Sequence, residues 1–126
     1  MKHYYSTEAA EQKAVVQWCA YMGIPIVHIP NEGKRSPAMA AKLKRLGLRP
    51  GVPDLFLPYP AGGFHGLWLE MKTDVGRPTA CQRDWIEYLR SVGYAAYICR
   101  GAGEAINAIE AYLAAEGKQD ASPCRL

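Results

Sequence analysis

The sequence has no run of 18 apolar residues, which excludes a transmembrane helix. Met1-Lys2-His3-Tyr4-Tyr5 lacks the apolar core of a signal peptide, so a cytoplasmic protein is expected. Cysteine is sparse and scattered. Cys19, Cys81, Cys99 and Cys124 form no C-x-x-C pair, and His3, His28 and His65 stand beside none of them. Structural zinc is therefore not expected, and the default is buried thiols in a reducing compartment. There are no internal repeats. Acidic residues are missing altogether from Gly33 to Pro50.

What remains suits one compact domain. The chain has 126 residues, 49% of them hydrophobic and 21% charged. A chain of this length needs no covalent staple. The net charge of +3 conceals an uneven distribution. Residues 1–50 carry eight Lys or Arg against three Glu, whereas residues 51–126 carry seven against nine acids. The acid-free segment concentrates Lys34, Arg35, Lys42, Lys44, Arg45 and Arg49. Such a stripe suits a polyanion, nucleic acid above all, although a solvated lysine-rich surface has the same composition.

Periodicity and punctuation predict α-β-(basic insert)-β-β-α-β-α. A helix from Glu8, capped by Ser6 or Thr7, places Val15, Trp18, Cys19 and Met22 on one face and stops at Gly23. Ile24–Ile29 reads as a strand. The insert spans residues 30–53, with a helix-prone stretch at Ala38–Leu46 between glycines and prolines. Strands follow at Asp54–Leu57 and Leu67–Lys72, close enough in sequence for a hairpin. Then come a helix over Thr79–Val92 with Trp85, Tyr88, Leu89 and Val92 on its apolar face, a strand at Tyr94–Cys99 and a helix at Gly103–Ala115. The β-α-β step favours parallel strands. A small mixed sheet flanked by helices is the expected α/β architecture, with residues 1–116 as one domain and 117–126 as a flexible tail.

The chemistry-bearing residues sit on the hairpin. Folding it about the middle of its connection sets Asp54 opposite roughly Met71. Alternation puts Trp68, Glu70 and Lys72 on one strand face. Asp54, Glu70 and Lys72 then converge at one end of the hairpin. Two carboxylates sharing a site repel each other, and a hard divalent cation removes that penalty. Such a cation activates water and polarises a phosphodiester, while Lys72 positions that water or offsets developing charge. The competing reading is a surface Glu-Lys strand pair with Asp54 as a turn residue.

Pro53-Asp54 followed by Glu70-Met71-Lys72 on a hairpin resembles the PD-(D/E)xK nuclease signature. The wider text is closer still. Glu8-x-x-x-Gln12, Gly51-Val52-Pro53-Asp54-Leu55, Leu69-Glu70-Met71-Lys72-Thr73 and Gly76-Arg77-Pro78-Thr79-Ala80-Cys81-Gln82 resemble, in order, the VRR-NUC family of that superfamily. The resemblance extends from Glu8 to Leu113. It implies a restriction-endonuclease-like core in which Asp54, Glu70 and the main-chain carbonyl of Met71 bind Mg²⁺ or Mn²⁺, and Lys72 is the catalytic lysine. It also implies a catalytic-site role for Gln82, which otherwise reads as a first-turn polar residue. Glu8 is the favoured additional metal-site acid, with Glu11 as its competitor; either would also stabilise a helix N-terminus.

The resemblance further implies a DNA endonuclease of a bacterial cell or phage-infected host, related to Holliday-junction resolvases and working as a homodimer on branched DNA; neither an organic cofactor nor a membrane partner is expected. Asn31, Lys34, Arg35, Lys42, Lys44, Arg45, Arg49 and Arg77 are the expected phosphate contacts. Tyr59 and Phe64 in the hairpin connection either touch unstacked bases or cover the core or a subunit contact. Trp18, Trp68 and Trp85 read as core, and His28 and His65 as structural. The alternatives are a non-catalytic DNA-binding module on a nuclease fold, and a nicking, flap or RNA-directed nuclease using the same site.

Overall fold

A computed structural model describes residues 7–31 and 35–115. The elements are α1 (Glu8–Met22), β1 (Val27–His28), α2 (Pro37–Arg45), β2 (Leu55–Leu57), β3 (Leu67–Lys72), α3 (Ala80–Ser91), β4 (Ala95–Arg100) and α4 (Gly101–Ala114). Lys34 and the 117–126 tail lie outside the described residues.

Among the described residues, four strands form one mixed sheet in the order β1-β2-β3-β4. The pairs β1·β2 and β2·β3 are antiparallel, and β3·β4 is parallel, as the β-α-β step requires. Leu55, Leu57, Leu67, Leu69 and Met71 are fully or almost fully buried and pack with Val15 and Cys19 of α1 and Ala105, Ile109 and Tyr112 of α4. The other face carries a smaller cluster of Ile86, Leu89 and Ala96, with Trp68, Trp85, Tyr94 and Ile98 against it.

Local chemistry sets the element ends. The Thr7 hydroxyl accepts the Ala10 N–H at 3.0 Å to start α1, and Gly23 ends it at φ 72°, a left-handed value open to glycine. Ser36 caps α2 through the Met39 N–H, with Pro37 at the first helical position.

Several expectations change. β1 is two residues long rather than six, because Pro25 and Pro30 bracket it and proline gives no N–H to a ladder. The helix-prone stretch of the insert does form a helix, α2, but that helix buries none of its residues. Met22 and Tyr88 are largely exposed, and Ile86 with Leu89 forms the buried stripe of α3. Cys81 is exposed, unlike Cys19 and Cys99. The connection between β2 and β3 is held to α4 by the Tyr112 hydroxyl, which donates to the Tyr59 carbonyl and accepts from the Ala61 N–H. It lies at the opposite end of the hairpin from Asp54 and Lys72. Tyr59 packs against the core there, and His65 sits edge-on to Tyr94.

Candidate active site

Pairing of Leu55 with Leu69 continues by one residue to set Asp54 level with Glu70. This register differs by one residue from symmetric folding of the hairpin, which sets Asp54 opposite Met71, and it places both carboxylates on one face. Alternation turns the Met71 N–H toward β2, but β2 begins only at Leu55. The Asp54 side chain fills that place, accepting the Met71 N–H at 2.8 Å through Oδ2. The Met71 carbonyl faces the same side as its N–H. The Asp54 carbonyl accepts the Ile29 N–H at 2.7 Å, so Asp54 is tied to both flanking strands.

Among the described residues, the buried charged ones are Asp54, Glu70 and Lys72, at 2%, 2% and 8% exposure. Lys72 Nζ stands 3.6 Å from Glu8 Oε1 and 3.9 Å from Glu70 Oε2. The ammonium bridges an acid of α1 and an acid of its own strand. Burial of this charge set carries a desolvation cost that the ion pairs offset.

The two first-helix glutamates divide cleanly. Glu8 reaches the site. Glu11 Oε2 instead accepts the Ala102 N–H at 2.8 Å and so caps the N-terminus of α4, a turn that begins at Gly101 with φ 87°. One turn beyond Glu8, the Gln12 carboxamide lies 2.9 Å from His28 Nδ1, which is 3.1 Å from the Asp54 carbonyl. His28 is level with Leu55, on the α1 face, and its ring braces the backbone of Asp54.

Gln82 occupies the N3 position of α3. Its side-chain oxygen accepts the Thr79 N–H at 2.8 Å while its own N–H donates to the Thr79 hydroxyl at 3.1 Å, a reciprocal capping box. The signal for this, Thr79 three residues before Gln82, is local. Arg100, beside Lys72 in the β3·β4 register, donates through Nη1 to the carbonyls of Thr73 and Gly76 at 2.7 and 2.6 Å and holds the loop after β3. Sequence reasoning missed Arg100, because nothing local marks a partner 24 to 27 residues away.

The basic insert leaves the sheet after β1 and returns just before β2, both at the Asp54 end. Lys42, Lys44, Arg45 and Arg49 are exposed. The Asn31 side chain donates to the Arg49 carbonyl at 2.7 Å and closes the base of the insert, so its amide serves the loop. Arg49 lies over the Trp85 ring at 5.7 Å, and Trp85 Nε1 donates to the Pro50 carbonyl at 3.0 Å. Gly51, at φ 86°, lets the chain pass against Cys81: a Cβ there would meet the Cys81 backbone at 2.6 Å. Arg35 is partly buried, and Arg77 lies in the loop that Arg100 holds.

Among the described residues, no three His, Cys, Asp or Glu side chains group closely enough to hold a metal ion. The donor set nevertheless fits a hard cation. Mg²⁺ is commonly held by one or two carboxylates, with water and substrate phosphate completing its shell. Asp54 and Glu70 supply two such carboxylates, with the Met71 carbonyl directed to the same side. No described helix is long and apolar enough to cross a membrane.

The VRR-NUC domain family profile matches residues 6–103. A solved structure of a "VRR_NUC domain protein" is similar at 31% identity, with a TM-score of 0.77, over 88% of this chain and 91% of that one. No curated protein gives a significant match.

Proposed function

The chain belongs to the VRR-NUC family, a nuclease-type domain, and from that premise we propose that it is a divalent-metal-dependent DNA endonuclease with Asp54, Glu70 and Lys72 at its centre. The observation that carries this reading is the buried, level pair Asp54 and Glu70, with a buried lysine 3.9 Å from one of them. Asp54 also serves the sheet through the Met71 N–H, but a scaffold that only bound DNA would gain nothing from a second desolvated carboxylate, Glu70, level with it.

Asp54 and Glu70 would hold Mg²⁺ or Mn²⁺, with the Met71 carbonyl as a third donor and Glu8 beside them. When bound, such a cation supplies Lewis acidity to the phosphodiester and makes water more acidic. Lys72 holds positive charge where the pentavalent phosphorane gains negative charge, and its ion pairs fix its direction. Glu8 orients Lys72 from α1. Gln82 and the first turn of α3 present polar groups at the same end, where a helix N-terminus favours phosphate. Lys42, Lys44, Arg45, Arg49 and Arg77 would grip the backbone on either side of the cut, positioning DNA without reading its sequence.

The substrate we propose is branched DNA, cut by a homodimer whose two sites address two strands. The test is incubation with a four-way junction, a flap and linear duplex in Mn²⁺. Symmetric cleavage of the junction supports resolution, and cleavage of the flap alone assigns a different geometry. Binding that weakens with salt, with none of the three substrates cut, would instead favour a non-catalytic DNA-binding module.

A further inference from the structure

Among the described residues β4 is an edge strand, and the groups along its open side form a symmetric code. In the parallel ladder the Ala95 N–H donates to the Gly66 carbonyl at 3.0 Å, so Ala95, Tyr97 and Cys99 direct their backbone groups to β3. Ala96, Ile98 and Arg100 direct theirs outward. Arg90 Nε of α3 donates to the Ala96 carbonyl at 2.9 Å, and Glu104 of α4 accepts the Arg100 N–H at 3.0 Å. The outward N–H and C=O of Ile98 have no hydrogen-bond partner among the described residues. A six-residue edge is thus blocked near both ends and open at its centre.

We propose that this window is the dimer contact, and that a second copy of the chain pairs with it antiparallel, Ile98 against Ile98, about a twofold axis. The inference rests on the homodimer reading above. Antiparallel pairing of one residue with itself exchanges two main-chain hydrogen bonds, which suits a window one residue wide.

Charge complementarity supports the register. Antiparallel pairing centred on Ile98 sets Ala96 opposite Arg100 of the other copy. Arg90, bound at Ala96, then meets the other copy's Glu104, bound at Arg100, and the contact occurs twice. Within one chain these two positions are four strand residues apart, about 13 Å, so they are not each other's partners. The apolar surface agrees. Tyr97 is 42% exposed, with Arg90 stacked on it at 5.7 Å. Beside it a groove of about 560 Å³ runs between β4 and α4, lined by Ile98, Cys99, Ala108, Ala111 and Tyr112. In the proposed register Tyr97 faces Cys99 of the other copy and enters that groove.

The arrangement also fixes the spacing of the two sites. Glu70 is level with Ile98. The two Glu70 residues would therefore lie on one face of a continuous sheet, three strand spacings or about 14 Å apart.

Sedimentation equilibrium tests this with full-length protein. Wild type is expected to dimerise. Arg90→Glu and Glu104→Arg each place like charges together and should weaken the homodimer at least about tenfold. Mixed in equal amounts they should form a heterodimer, because both contacts regain opposite charge. An oxidised Ile98→Cys variant should run as a covalent dimer, since facing Cα atoms about 5.5 Å apart suit a disulfide. A wild type that stays monomeric overturns the dimer reading and this contact together. A wild-type dimer that persists unchanged in both charge variants, or that Ile98→Cys fails to cross-link, overturns the contact alone.

Discussion

The Asp54 carboxylate accepts the main-chain N–H of Met71 at 2.8 Å, replacing a strand partner that β2, which begins two residues after the position level with Met71, does not provide. The same side chain that we assign to the metal thus also closes the end of the sheet. Removing it has two separable consequences.

Asp54→Asn keeps an oxygen for the Met71 N–H and should fold with a melting temperature near that of wild type. Asp54→Ala leaves that N–H buried and unpaired, which costs about 1–3 kcal/mol. Thermal or urea unfolding of the two variants side by side checks this. Equal stability of the two would show that the hydrogen bond carries no structural weight.

Glu8 and Glu11 are expected to behave oppositely. Glu11→Ala removes the cap of α4 and should cost about 0.5–2 kcal/mol, while DNA cleavage by the folded fraction stays near wild type. Glu8→Gln loosens the hold on Lys72 and should slow cleavage with a smaller change in stability, since Glu8 is partly exposed. Unfolding curves and single-turnover rates on the same preparations separate the two roles.

For Gln82 the informative change is Gln82→Glu. A glutamate at N3 still completes a capping box with Thr79, so stability should hold. A negative charge aimed at phosphate should lower cleavage roughly tenfold or more if Gln82 acts at the site. Unchanged cleavage would confine Gln82 to capping.

Burial pushes the Cys19 thiol up to about 11 and, together with the Glu104 charge, the Cys99 thiol up to about 12. Burial, as the largest cause, also raises the Tyr112 hydroxyl to about 12. Each group stays neutral in the fold at pH values where the unfolded chain would ionise it. Its contribution to stability is therefore complete below pH 9 for the cysteines and below pH 10 for Tyr112, and declines as pH rises toward 11 to 12. Unfolding free energy should fall from about pH 9 upward. At pH 8, thiol reagents should modify the exposed Cys81 in native protein, and Cys19 and Cys99 only after unfolding.

The sequence made the site more legible than the sheet around it. The Pro53-Asp54 and Glu70-Met71-Lys72 blocks lie on strands whose alternation and turn signals are local, so their convergence follows from pattern to within one residue of register. The Glu8 and Glu11 ambiguity was not soluble locally, because the partner that decides it, the Ala102 N–H, lies 91 positions away. The same reason hid Arg100 and its loop carbonyls. β1 came out short because two prolines override a β-branched run. Tyr88 points outward because the face under α3 is covered by one stripe, Ile86 and Leu89. The insert was readable as basic and helix-prone, but not as burying none of its helix, since exposure depends on what fails to pack against it.

The central claim is that Asp54 and Glu70 together hold the cation that cuts DNA. The direct measurement is the single-turnover rate of four-way-junction cleavage against Mn²⁺ concentration, for wild type, Asp54→Asn and Glu70→Gln. We expect a saturable rise in wild type, no cleavage in chelator, and a loss of roughly 100-fold or more in both variants. Cleavage in chelator, or either variant matching the wild-type curve, would contradict the account.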